Sequence, residues 1–215
     1  MIYNHSNPSG FIFSTFNPNH LIFNTYFSIL EARCSILNYM RIISGQFKGR
    51  RLQVPTNITA RPTTDFAKEG LFNLLNNRID FEGIDVLDLF AGTGSISIEF
   101  VSRDCNSVIS IEQNERHCAF IRKTCTELKI DNLSLVKTDV FKFIASCHSQ
   151  FDMIFADPPY ELEQLPLIPD IVFAKNLLKA DGLFVLEHSA KNNFSQHPHF
   201  VEHRNYGNVN FSFFE

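Results

Sequence analysis

The chain has 215 residues, 44% of them apolar, enough for one α/β domain with a substantial core. A net charge of −4 excludes a global basic field as the means of attracting nucleic acid, and no stretch of about 18 clean apolar residues offers a membrane span. Five cysteines (Cys34, Cys105, Cys118, Cys125 and Cys147), an odd count without a C-x-x-C pair, read as free thiols of a reducing cytoplasm. They do not read as a disulfide framework or a metal site.

Residues 1–39 differ from the rest. No Lys, Arg, Asp or Glu precedes Glu31, and Phe, Asn, Ser and Ile dominate. A signal peptide would need a basic start and an uninterrupted apolar run. The expectation is that this leader is not part of the fold, and that the functional chain starts at Met40, the leader being upstream DNA translated from a wrong start codon. A peripheral anchor is the alternative.

Residues 40–54 read as a small β-hairpin, with extended runs at 41–45 and 50–54 and a turn bracketed by Gly45 and Gly49. From residue 40 to 64 there are five cations (Arg41, Lys48, Arg50, Arg51 and Arg61) and no acid. On a short protruding element they suit phosphate contacts, each adding salt-sensitive affinity. A helix follows over 66–77, capped by Thr64 or Asp65, with Glu69 placed for a capping box and Leu71, Phe72, Leu74 and Leu75 as its buried stripe.

Strand and helix then alternate at βαβ spacing. Strands are expected over 85–89, 107–111, 133–137, 151–156 and 182–187. Helices are expected over 95–103, 115–128, 140–144 and 167–178. The tail alternates in period two over 199–204 and 209–214, an antiparallel pair around Tyr206-Gly207-Asn208. The fold expected is a mostly parallel sheet with its last strand pair antiparallel.

The chemistry gathers at strand ends. Asp85-Val86-Leu87-Asp88-Leu89-Phe90-Ala91-Gly92-Thr93-Gly94-Ser95 is a strand, a glycine turn and a helix start. Such a turn admits a ligand close to the backbone and offers free N–H groups. A nicotinamide-binding turn would carry a third glycine where Ser97 stands, and Asp88 would repel a pyrophosphate. A carboxylate there suits a hydrogen-donating or positive group, such as the amino-acid end of S-adenosylmethionine. Glu112, at the end of the next strand, can accept both ribose hydroxyls of a nucleoside. Asp139 follows the third strand, where it can accept from an adenine amino group, cap the next helix, or do both.

Asp157-Pro158-Pro159-Tyr160 is the most specific motif. The prolines fix the backbone and remove two N–H groups. The Asp157 carboxylate and the Pro158 carbonyl are then acceptors for an exocyclic amino group, whose lone pair is otherwise delocalised into its base. Holding that nitrogen toward tetrahedral geometry aims the lone pair at a methyl donor. Tyr160 offers a face for the base to stack on.

These motifs resemble the class I S-adenosylmethionine-dependent methyltransferases that act on exocyclic amino groups. Arg41-Ile42-Ile43-Ser44-Gly45-Gln46-Phe47-Lys48-Gly49-Arg50, Arg61-Pro62-Thr63-Thr64-Asp65 and Glu69-Gly70-Leu71-Phe72-Asn73 narrow the likeness to the RsmD-type bacterial 16S ribosomal RNA guanine-N2 methyltransferases, over residues 40–215. The resemblance implies a Rossmann-like seven-stranded sheet with a small N-terminal hairpin. It implies direct transfer of a methyl group to one guanine of 16S RNA, within a small ribosomal subunit or its assembly intermediate. It implies a cofactor site at Asp88, Phe90, Gly92, Gly94, Glu112, Asp139 and Val140, no metal, and a monomer. Tyr160 stands where that family often has Phe and adenine-N6 enzymes often have Tyr, so adenine N6 in DNA or another RNA stays as the alternative acceptor. A catalytically idle RNA-binding module is the alternative of another class.

Overall fold

A computed structural model describes residues 39–58 and 65–215. The leader therefore lies outside the described residues except for Tyr39, and so do Arg61 and the Thr64 cap.

Seven strands form one sheet: β3 (Asp85–Asp88), β4 (Ser107–Glu112), β5 (Leu133–Lys137), β6 (Phe151–Ala156), β7 (Leu178–His188), β8 (Phe200–Tyr206) and β9 (Val209–Phe214). Their order is β5-β4-β3-β6-β7-β9-β8. The first five are parallel, and β9 pairs antiparallel with both β7 and β8. The expected Rossmann-like architecture is thus the one observed. The chain winds outward from β3 to β5, then returns to place β6 on the other side of β3. Ligands bind at such a switch point, beyond the carboxyl ends of the strands.

The central strands β3 and β6, the second half of β7, and β9 are buried on both faces, while the edge strands β5 and β8 are not. Alternate residues of β6 go to opposite layers: Met153 and Phe155 join Phe72, Phe100, Phe211 and Phe213, while Ile154 and Ala156 join Leu87, Ile168, Phe184 and Phe214. The first layer is closed by α1 (Asp65–Leu75) and α2 (Ser95–Ser102), and α3 (Glu115–Leu128) follows β4. The second is closed by α4 (Val140–Ser146) and α5 (Ile168–Ala174). The expected bounds of α3, β5 and β6 are those observed.

Most other bounds shift by one or two residues, β7 starts at Leu178 rather than at 182, and two regions differ in kind or length. The helix expected over 167–178 is a 3-10 turn at Leu165–Leu167 followed by a short α5 that stops at Ala174. Asn176 turns left-handed (φ 53°), a conformation asparagine tolerates, so the backbone leaves the helix and enters β7 at Leu178. The hairpin strands are also shorter than expected, β1 being Tyr39–Arg41 and β2 Arg51–Gln53, with Met40 opposite Leu52.

The residues between them dock on the main domain, so the hairpin is not the free protrusion the sequence suggested. Gln46 N–H donates to the Ser102 carbonyl at 2.7 Å, and Phe47 N–H donates to Ser102 Oγ at 3.0 Å. A Cβ on Gly45 would lie 1.6 Å from the Ser102 oxygen, so this approach admits glycine alone. Met40, Ile42, Leu52, Val54 and Ile58 share a small apolar core with Ile98, Phe120 and Leu128. Beneath it Lys68, 1% exposed, donates to the Arg41 carbonyl at 2.6 Å and to Ser95 Oγ at 3.0 Å. The ammonium also pairs with Glu99 at 3.2 Å, and Glu99 accepts from Ile43 N–H at 2.7 Å. Burial holds the Lys68 pKa below its ordinary value, against the opposing pull of Glu99.

Candidate active site

The carboxyl ends of β3, β4, β5, β6 and β7 open into one cavity of about 880 Å³. Its floor starts with the turn after β3. Gly94 N–H donates to the Ala91 carbonyl at 2.7 Å, and Gly94 takes φ 76° as the N-cap of α2. A side chain at Gly94 would be strained at that φ and would meet Ile121 at 3.0 Å. Nothing stands within 4 Å of where a Cβ on Gly92 would be, which leaves its backbone open beside the cavity.

Glu112 sits at the cavity wall with its carboxylate already oriented. It accepts from Gly92 N–H at 2.8 Å and from Asn114 N–H at 2.7 Å. His117 Nδ1, from the first turns of α3, lies 3.3 Å away. The residue thus ties the glycine turn to the end of β4 while keeping acceptor capacity, since a carboxylate has about four acceptor positions. Asp139 caps the next helix, as its position suggested, and stands at the cavity. Its Oδ1 accepts from Lys142 N–H of α4 at 3.0 Å. Phe90 and Val140 line it as well.

Asp88 and Gly94 are the two expected cofactor residues absent from the lining. Gly94 is buried under the turn. Asp88 is 1% exposed and points inward, where Ser97 Oγ donates to it at 2.5 Å and is itself the acceptor of Ser110 Oγ at 2.7 Å. Burial pushes the Asp88 carboxyl up to about 7, against the Ser97 hydrogen bond that favours its charged form. In this structure Asp88 holds the turn in place from below.

The acceptor motif occupies the opposite wall. Asp157, Pro158, Pro159 and Tyr160 follow β6 directly, and Leu162 N–H donates to the Pro159 carbonyl at 2.8 Å, closing the turn. The Tyr160 hydroxyl donates to Glu187 at 3.0 Å. Sequence reading missed Glu187 and His117. Glu187 was available as the acid at the end of the last parallel strand, by the same rule that singled out Glu112. His117 gave no signal beyond its place in the first turns of a helix. His188, next to Glu187, is buried. Its Nδ1 donates to the Ser189 carbonyl at 2.9 Å, which fixes Nε2 as acceptor for Ser212 Oγ at 2.8 Å. Burial holds the His188 pKa below its ordinary value.

The residues fit a nucleoside-bearing methyl donor. The cavity has the volume, an open backbone face at Gly92, an oriented carboxylate in Glu112 and a second acid beyond it in Asp139. Outside the cavity Lys48, Arg50 and Arg51 are exposed on the hairpin. Arg41, expected with them, has its guanidinium held by Asp65 and Glu69.

Residues 40–215 match the family model described as Conserved hypothetical protein 95. Ribosomal RNA small subunit methyltransferase D of Buchnera aphidicola subsp. Baizongia pistaciae is 30% identical over 159 residues, 74% of this chain and 80% of the relative. The protein of the same name from Escherichia coli K12 is 31% identical over 153 residues, covering 71% and 76%. Among solved structures, Escherichia coli yhhF superposes with a TM-score of 0.73 at 27% identity, over 82% of this chain and 97% of that one. The fold, the cavity and these matches agree: the chain belongs to the Conserved hypothetical protein 95 family, that of the RsmD-type ribosomal RNA methyltransferases.

Proposed function

We propose that this protein methylates the exocyclic N2 amino group of a guanine in 16S ribosomal RNA, within a small subunit or its assembly intermediate, acting as a monomer in the cytoplasm. Family membership carries the coarser statement, an S-adenosylmethionine-dependent RNA methyltransferase. One observation supports the finer reading most: a nucleoside-binding wall (Gly92, Glu112, Asp139) and an amino-group acceptor motif (Asp157 to Tyr160) face one cavity.

S-adenosylmethionine supplies a methyl group made electrophilic by its sulfonium. Glu112 would hold the cofactor through its ribose hydroxyls and Asp139 through its adenine amino group, with Phe90 and Val140 as apolar lining of the same cavity. Asp157 and the Pro158 carbonyl accept from the two hydrogens of the target amino group and turn its lone pair toward the methyl donor. Tyr160 stacks on the base, which must leave its own stack to arrive there. Transfer is direct, and positioning supplies much of the acceleration. Lys48, Arg50 and Arg51 contact phosphates around the target. Arg41 reinforces the seam between hairpin and α1 through Asp65 and Glu69, and so supports that surface from behind.

The test is incubation of the protein with S-adenosylmethionine carrying a labelled methyl group and unmethylated small subunits, followed by digestion of the RNA to nucleosides. Label in N2-methylguanosine is expected. Label in N6-methyladenosine moves the acceptor to adenine, and no label in any nucleoside leaves an RNA-binding module.

A further inference from the structure

The acceptor end of the cavity holds a second carboxylate. Glu187 is 4% exposed, yet it lines the cavity together with Asp157, Pro158, Pro159 and Tyr160. Burying an acid in such a place is costly unless it is hydrogen-bonded, and Tyr160 donates to its Oε1 at 3.0 Å. Its strand position is fixed: Glu187 pairs with Phe211 of β9, and the next residue, His188, is locked by Ser189 and Ser212.

The two bases weighed as acceptors differ at the atom beside the amino group. Guanine presents its N2 amino group next to N1–H, two donors side by side. Adenine presents its N6 amino group next to N1, an acceptor. An ionised carboxylate only accepts. A pair of acids therefore matches the guanine edge, and leaves an acceptor facing an acceptor when adenine enters.

We propose that Glu187 reads the target base, accepting from guanine N1–H beside the amino group held by Asp157, and so selects guanine over adenine. The proposal rests on the guanine-N2 reading above. Strand β7, paired with β9, sets where Glu187 stands at the cavity, and a carboxylate offers about four acceptor positions.

The experiment uses small subunits assembled on 16S RNA that carries either guanine or 2-aminopurine at the position the parent enzyme methylates. 2-Aminopurine keeps the N2 amino group and lacks N1–H. The parent is expected to methylate guanine with a kcat/KM at least about tenfold higher, the effect of one hydrogen bond to a charged group. Glu187→Gln, whose amide can donate to an unprotonated N1, is expected to bring the ratio within about threefold of one. 2-Aminopurine also lacks the 6-oxygen, but that loss is common to both enzymes, so the change in ratio isolates position 187. Tyr160→Phe, which keeps the ring and removes the hydroxyl while β7 still holds Glu187 in place, is expected to slow both bases alike. Where a variant turns over too slowly, the same ratio is read from subunit affinity in the presence of S-adenosylhomocysteine.

Equal rates on the two bases for the parent overturn the proposal. So does a Glu187→Gln ratio equal to the parent's, by rate or by affinity. A ratio that collapses equally in Tyr160→Phe also overturns it, because Glu187 would then act only through Tyr160. Methyl found on adenine in natural subunits removes the guanine-N2 reading itself, a result distinct from guanine methylation without discrimination.

Discussion

Replacing Asp88 with Asn should abolish most of a pH-dependent loss of stability. The Asp88 carboxyl lies at about 7 in the fold against an ordinary value of 3.8, because it is buried beneath the glycine turn with Ser97 as its donor. A group whose pKa is raised by folding holds its proton more tightly in the folded chain. Its contribution is complete below about pH 4 and is lost as pH rises through about 7. The gap between the two values corresponds to about 4 kcal/mol, of which about 2–3 kcal/mol falls between pH 5 and pH 8. For a domain of this size that is roughly 5–10 °C in melting temperature. Asparagine cannot ionise, and its amide oxygen can still accept from Ser97. Scanning calorimetry of both proteins from pH 5 to pH 8 should show the parent losing that much relative to Asp88→Asn. Parallel curves would mean that Asp88 is ionised without penalty in the fold, and that its inward, desolvated placement is wrong.

Glu112→Ala should weaken S-adenosylmethionine by about 1.5–3 kcal/mol, the range for hydrogen bonds to a charged group. An unchanged dissociation constant by calorimetry removes Glu112 from the cofactor site. Asp157→Ala should leave cofactor affinity intact and lower turnover by about two orders of magnitude or more, since the carboxylate holds the group that reacts; equal turnover would detach the motif from the chemistry. Replacing Lys48, Arg50 and Arg51 together with Ala should remove one or two phosphate contacts and flatten the log–log salt dependence of RNA binding by about 0.7 for each. Cofactor affinity should stay constant in that variant, because the exposed cations lie outside the cavity lining. Coincident salt slopes would show that the hairpin is not the RNA clamp.

Most of the architecture was legible because strands and helices in this chain differ in period and length. The central strands are short apolar runs closed by an acid or a turn, and α3 is an amphipathic helix opened by Asn114, whose side chain accepts from Arg116 N–H. The misread helix near residue 175 failed for a local reason: Asn176 adopts a left-handed conformation inside an otherwise helical pattern. The hairpin misled because its extended sequence pairs over only three residues per strand, the rest being drawn down onto Ser102 and Glu99, contacts between residues more than 50 apart in sequence.

At the site, legibility followed the strand ends. Glu112, Asp139 and Asp157 each stand where a parallel strand stops, so position alone placed them at the cavity. Asp88 stands at the end of β3 too, yet its side chain goes the other way. A strand places successive side chains on opposite faces, and the small Ser97 and Ser110 beneath leave room for the carboxylate to bond inward. Glu187 closes an expected strand by the same rule and was passed over. Its role at the cavity emerges only when Tyr160, 27 residues earlier, is brought against it.

The most direct test of the account is a nucleoside map of 16S RNA from cells lacking this protein, compared with cells given back the parent or Asp157→Ala. The account predicts one guanine that loses its N2-methyl group in the deletion, regains it with the parent and stays bare with the variant. An unchanged N2-methylguanosine content in the deletion, or full restoration by Asp157→Ala, would contradict it.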